Sequence, residues 1–501
     1  MIEPTHLVST QDPISKGIVA VVLLGLFALL TLEKAHRVLV AMTAVSLLWL
    51  VTYLTPYHLI TFEDSSRALD LNVLLLLASM MALVAVLKST GAFDWAIARL
   101  LKGEGATPAR ILMPLAWFTA VASALLDNVT TVIFVTPIAL GLARRLRVSP
   151  AALLLPVVMA ANIGGTSTLI GDPPNIMIGS GANLTFLDFL INLAPPVLVM
   201  MFGLEVIARR WFAADLAAGV AAVPGPGADA PTVTDPGLLR QLSVICGFVL
   251  IGFLTHGVTG MPAAVPATIG AGAALLAQDI RYLRIHRPSH HERVHGILDV
   301  LEHQIEWATL VFFAFLFIVV GAAVETGLIG SVAHGLESGI AFGQNTLGLG
   351  PQGVLLFAAI LILWVSGVAS ALIDNIPFVA VSIPVIREII PTLPGDAGVL
   401  WWALALGACL GGNGTPVGAS ANVTTLDLMA REGTRITFAA FTKFGATVAG
   451  FTLVVSCVWL TVHIFVGARE TMVGTLILGI GIGAIRLLRR ARRPAAGGLV
   501  R

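Results

Sequence analysis

One polar signature occurs twice inside otherwise apolar stretches of this chain, and the two copies lie 247 residues apart. The stretch SALLDN at 123–128 returns as SALIDN at 370–375. Downstream, a glycine-rich pattern carrying Gly164, Gly165, Thr168, Gly171 and Asn175 returns as Gly411, Gly412, Thr415, Gly418 and Asn422, with the same spacing and the same offset of 247. Two unusual polar motifs in one gap-free register mark a duplication. A weaker match pairs the apolar run 70–90, ending in Thr90-Gly91, with 306–328, which carries Thr326-Gly327, at an offset of 236. The second copy therefore holds extra residues ahead of its signature. Repeats this long and this apolar are halves of a membrane transporter rather than turns of a solenoid.

The solvent follows from composition. The 501 residues are 57% hydrophobic and only 11% charged, with a mean hydropathy of +0.93, against roughly 25% charged residues in a soluble domain. Most of the chain faces lipid or packs within it, and the bilayer is its first partner. A formal charge of +1 gives no field for nucleic acid. A spanning helix takes about 20 apolar residues. Candidates run near 15–33, 36–56, 70–90, 150–180, 184–208, 240–258, 263–280, 306–328, 397–427, 436–466 and 472–488. The runs 107–146 and 351–392 are too long for one span, and each has the Asp-Asn pair in its middle. The first apolar run follows Glu3, Asp12 and Lys16 with no small-residue cleavage site, which reads as a retained helix. Residues 212–237, rich in Ala, Pro and Gly, read as a flexible loop. Residues 281–305 carry four arginines and five histidines (His286, His290, His291, His295, His303) and read as a solvated linker. Cys246, Cys409 and Cys457 form no CxxC pair and read as core residues.

Charge gives orientation, because short cytoplasmic loops are enriched in Lys and Arg. The first Asp-Asn run is flanked by Arg99, Lys102 and Arg110 and then by Arg144, Arg145 and Arg147, so both its ends read as cytoplasmic. A segment that enters and leaves on one side is a re-entrant hairpin with its tip near Asp127. The second run is flanked by His334, Glu337, Arg387, Glu388 and Asp396, without positive excess, and reads as periplasmic. The expected fold is an all-α polytopic membrane protein of two inverted repeats, with about eleven transmembrane helices, two re-entrant hairpins and two discontinuous helices. N-terminal helices fill 1–56. Repeat 1 spans 57–210, with its hairpin at 107–146 and broken helix at 150–180. Linker loops and two helices fill 211–305. Repeat 2 spans 306–466, with its hairpin at 351–392 and broken helix at 397–427. A C-terminal helix and a basic cytoplasmic tail, Arg486 to Arg493, fill 467–501. The location is a bacterial inner membrane.

Unpaired polar groups in hydrocarbon cost several kcal/mol each, so clustered ones mark function. One tip brings Ser123, Asp127, Asn128, Thr130 and Thr131, the other Ser370, Asp374 and Asn375. Ser123 stands four residues before Asp127, on one helix face. Hydroxyl, carboxylate and amide oxygens suit a small hard cation, a buried carboxylate suits a proton, and Asp or Asn also caps a helix start. The stretches with Asn162, Gly164, Gly165, Thr166, Thr168, Asp172 and Asn175, and with Gly411, Gly412, Asn413, Thr415 and Asn422, cannot be continuous helix, because glycine and Pro173-Pro174 break it. Broken backbone at membrane depth lines a cavity. Two opposed hairpins with broken helices are an alternating-access pattern rather than a channel. No buried nucleophile–base or metal constellation stands at ligand spacing, so no enzyme and no metal cofactor is expected.

The stretches SALLDNVTTVIFVTPI, NIGGTSTLIGDPPNIMIGSGANLTF, SALIDNIPFVAVSIPVI and LGACLGGNGTPVGASANV resemble the ion transporter superfamily. It includes arsenite permeases, sodium/proton antiporters, the melanosomal P protein and divalent-anion/sodium symporters. The resemblance covers roughly 20–490. In the dicarboxylate branch the tips read Ser-Asn-Thr. There the tip serine and asparagine, a serine one turn earlier and the glycines of the broken helix bind sodium, and the tips hold carboxylates. Here those positions are Ser123, Asp127, Asn128, Gly164 and Gly165, then Ser370, Asp374, Asn375, Gly411 and Gly412. The tip serine is replaced by Asp, and two added negative charges disfavour a dicarboxylate. The resemblance therefore implies a secondary transporter for a small inorganic solute: arsenite or antimonite efflux coupled to H+ at Asp127 and Asp374. The alternative is sodium/proton exchange with Na+ as coupling ion, or another anion permease. A homodimer and association with a cytoplasmic arsenite-efflux ATPase are the partners it implies.

Overall fold

The computed structural model describes residues 12–32, 34–100, 107–218, 233–286, 300–467, 470 and 473–474. The C-terminal span 472–488 and its basic tail lie outside the described residues, as do most of the histidine-rich linker and of the Pro/Gly-rich loop. Among the described residues the regular elements are all helical, as lipid requires of a chain that must satisfy its own backbone. The fold is the expected pair of inverted repeats with hairpins and discontinuous helices.

Repeat 1 contains α1 (Pro13–Leu32), α2 (Arg37–Leu54), α3 (Phe62–Ala68), α4 (Leu71–Ser89), α5 (Ala92–Leu100), the hairpin arms α6 (Pro108–Leu125) and α7 (Asn128–Leu146), the broken helix α8 (Pro150–Gly165) and α9 (Pro173–Ala182), and α10 (Phe186–Trp211). After the short α11 (Ala213–Ala218), repeat 2 gives α12 (Pro236–Thr259) and α13 (Ala264–His286). A π turn, Val300–Gln304, precedes α14 (Trp307–Glu325) and α15 (Leu328–Leu347). The arms α16 (Pro351–Leu372) and α17 (Asn375–Ile389), the broken α18 (Val399–Gly411) and α19 (Ser420–Arg431), and α20 (Phe438–Val466) complete it.

Eleven of the described helices are long and apolar enough to cross a membrane. Four of these are the hairpin arms, so the set differs from the eleven single crossings expected. The runs 150–180 and 397–427 do not span as single helices. Each breaks at its glycines, leaving segments of 16 and 13 residues ahead of the break. The residues between α14 and the second hairpin, expected as a connection, form the 20-residue α15. Its polar face with His334, Glu337 and Gln344 hid it from a search for apolar runs. It is the extra material that shifts the repeat offset from 236 to 247.

The pair α1–α2 packs on α14 of repeat 2, and α13, backed by α12, packs on α4 of repeat 1. Each two-helix pair thus packs on the repeat that does not follow it in the chain. At one seam Asn72 accepts from the Ala264 amide at 3.0 Å and donates to Ser180 at 3.3 Å. Beside it, the buried His256 accepts from the Phe186 amide at 2.9 Å. At the other seam Arg37 donates to Thr309 at 2.8 Å.

Inside each repeat the outgoing hairpin arm lies against the broken helix, α6 on α8 and α16 on α18. The approach is closest where a glycine faces backbone: a Cβ on Gly164 would overlap the Ala120 carbonyl, and one on Gly411 the Gly367 carbonyl. Backbone cannot swing aside as a side chain can. Gly164→Ala or Gly411→Ala should each cost about 1–3 kcal/mol, the usual penalty of overpacking. Gly335, where a Cβ meets open space, should accept Ala without loss. Thermal melts of the purified protein in detergent check this.

Candidate functional site

The two hairpin tips and the two helix breaks converge, and they match bond for bond. At the first tip the Ser123 hydroxyl donates to the Ala161 carbonyl at 2.7 Å; at the second, Ser370 donates to Ala408 at 2.5 Å. Thr168 donates to Ala124 and Thr415 to Ala371, both at 2.5 Å. Each hydroxyl stitches a hairpin arm to its broken helix. The breaks themselves are closed by amides. Asn175 donates to the carbonyls of Thr166 and Thr168 at 3.0 and 2.9 Å, and Asn422 to those of Gly412 and Thr415 at 2.8 and 2.9 Å. These carbonyls lost their helical partners at the glycines, and a buried unpaired carbonyl is costly.

The halves are then tied together through Asn162, which is fully buried. It accepts from Asn128 at 3.1 Å and donates to Asn413 at 2.9 Å and to Asn422 at 3.0 Å. The residue 247 positions later is Cys409, whose thiol donates to Asn175 at 3.4 Å. The same cross-connection is therefore made from both sides, once by an amide and once by a thiol.

Asp127 and Asp374 are the N-caps of α7 and α17. Asp127 accepts from the Thr130 amide at 2.7 Å, and Asp374 from the Ile376 amide at 3.2 Å and the Ser420 hydroxyl at 3.1 Å. Facing the tips from the flanking helices, Arg37 lies within electrostatic range of Asp374, and Glu306 within range of Asp127. Asp172 is buried at the second end of the first break and caps nothing.

Most of the expected site residues are thus brought together: Ser123, Asp127, Asn128, Asn162, Thr166, Thr168, Asp172 and Asn175 with Ser370, Asp374, Asn413, Thr415 and Asn422, while Asn375 is buried at the start of α17. Thr130 contributes its backbone amide. Thr131 is placed elsewhere, in an apolar cleft with Phe93, Phe118 and Phe134. Gly165 and Gly412 do not border open space. A Cβ on either would run into the carbonyl of Gly171 or Gly418 across its own loop, so their lack of a side chain lets each break fold back on itself. Two residues gain importance. Cys409, expected as packing, is bonded to the asparagine that closes a break. Ser420, not singled out from sequence, touches a tip carboxylate; its only signal was its position just after the second break.

The citrate transporter family (CitMHS) matches residues 27–407. This chain belongs to that family. Two uncharacterized transporters of Mycobacterium tuberculosis are similar to it. One is 39% identical over 413 residues, covering 81% of this chain and 89% of the relative. The other is 34% identical over 461 residues, covering 90% and 99%. The human P protein is 30% identical over 541 residues, 92% of this chain and 61% of that protein. Among solved structures, the YdaH transporter of Alcanivorax borkumensis, described as having an unusual topology, superposes with a TM-score of 0.56 at 14% identity. That match covers 86% of this chain and 98% of that one, and it supports the fold. The chain is a multi-pass secondary membrane transporter.

The cross-link through Asn162 has a measurable weight. Asn162→Ala strands polar atoms of Asn128, Asn413 and Asn422 inside the protein, at about 1–3 kcal/mol for each atom left unpaired. Melting in detergent should fall by several degrees relative to wild type, and by more than for Thr130→Val, whose hydroxyl takes no part in these bonds. An unchanged melt would show that the amides are not bonded to one another.

Proposed function

We propose that this transporter expels a small uncharged hydroxylated solute, arsenous acid or its antimony counterpart, across a bacterial inner membrane in exchange for protons, by alternating access. The supporting observation is the make-up of the central polar cluster. It gathers amides, hydroxyls, backbone groups, the Cys409 thiol and the carboxylates of Asp127, Asp172 and Asp374. Among the described residues no Lys or Arg side chain hydrogen-bonds to any of these side chains. Multivalent anions are usually held by bidentate guanidinium or by ammonium groups, and three carboxylates repel them. A neutral trihydroxide instead meets matched donors and acceptors, and a soft arsenic or antimony centre favours sulfur. Uphill movement of a neutral solute needs a coupling ion, and a buried carboxylate supplies a proton carrier.

A second reading, import of a citrate-like anion, draws on the description of the family and on Arg37, a cation in electrostatic range of a tip carboxylate. Everted membrane vesicles separate the two. With an imposed pH gradient, acid inside, wild-type vesicles should accumulate arsenite well above the medium, and citrate should neither accumulate nor compete. Accumulation of citrate without arsenite would replace the first reading by the second. Accumulation of arsenite driven by sodium but not by pH would replace the coupling ion.

A further inference from the structure

The three central carboxylates are not equivalent. Asp127 and Asp374 occupy matching positions and do the same structural work, each accepting from a backbone amide in the first turn of the helix it caps. Those amides hold each carboxylate in place as a helix cap. Asp172 also precedes a helix, but the next two residues are Pro173 and Pro174, which have no N–H to offer. It makes no cap bond. The side chain is 1% exposed, and its Oδ2 has no hydrogen-bond partner. The titratable groups facing it are Cys409, Asp374 and Asp127, with the Asn128 amide alongside. At the position 247 residues on, repeat 2 has Ala419, so this carboxylate exists once where the tip carboxylates exist twice.

A buried carboxylate oxygen with nothing bonded to it is costly to keep unless something visits it. Helix geometry does not explain it, since the prolines remove the amides a cap would serve. The carboxylates of Asp374 and Asp127 nearby make a proton the natural visitor.

We propose that Asp172 is the carboxylate that takes up and releases the coupling proton, and that its single copy fixes one proton per transport cycle, while Asp127 and Asp374 stay ionised as caps. An O–H bond forms at Oδ2 in one access state and breaks in the other, without change of oxidation state. The inference rests on the proton coupling proposed above but not on the identity of the solute.

The test reads the proton directly. Infrared difference spectra of the purified protein, recorded as pH is stepped through the range of activity, should show a protonated-carboxyl band in wild type. The band should persist in Asp127→Asn and Asp374→Asn, vanish in Asp172→Asn, and return displaced in Asp172→Glu. A band that survives in Asp172→Asn, or no band in wild type, overturns the proposal. In everted vesicles the Asp172→Asn accumulation ratio for arsenite should fall to unity, whatever its rate. A ratio maintained at the wild-type level contradicts the proposal too. If wild type moves no arsenite, the solute assignment fails, and the infrared result still decides the role of Asp172.

Discussion

Backbone broken inside a membrane has to be satisfied by protein, and in this chain two asparagines do it. Asn175 and Asn422 each place a side-chain amide on two carbonyls that the glycine break set free. Without them the breaks would hold unpaired carbonyls in a medium with no water to offer. Everything else at the centre is arranged around these two closures. Asn162 and Cys409 reach across to the asparagine of the opposite repeat, and the tip serines and the break threonines bind hairpin arm to broken helix on each side. The centre is therefore one hydrogen-bonded body made from both halves, in which Asn128 Oδ1, Asn413 Nδ2 and Asp172 Oδ2 are left without a protein partner.

The duplication gives a scaffold, and the departures from it give chemistry. Positions that agree between repeats, such as Ser123 with Ser370, Thr168 with Thr415 and Asn175 with Asn422, make the same bond twice. Three positions at the centre differ: Asn162 against Cys409, Asp172 against Ala419, Pro173 against Ser420. An inverted-repeat carrier changes access by exchanging the conformations of its halves, so a group present once biases the two states differently.

The hairpins, the breaks and their convergence were legible in sequence because polar residues in an apolar run have few other uses. The helix α15 was not, since its amphipathic pattern with four glycines and several polar residues does not read as a span. Nor was the seating of α1–α2 and α13 on the opposite repeat, which is a matter of tertiary packing such as Arg37 with Thr309. The tip aspartates looked like coupling groups from depth and repetition alone. Their geometry adds the capping bonds that spacing could not separate from function. The solitary state of Asp172 was readable in principle by setting it against Ala419, but a comparison built on what the repeats share passes over what they do not.

The central claim is that the two hairpins enter the site from opposite faces. Single cysteines at Arg145, exposed at the end of the first hairpin, and at Asp396, exposed just beyond the second, test it in a variant lacking the three native cysteines. On intact cells a membrane-impermeant maleimide should label position 396 and leave 145 untouched until the cells are opened. Labelling of both positions from outside, or of neither, would place the two hairpins on one face and contradict the inverted architecture.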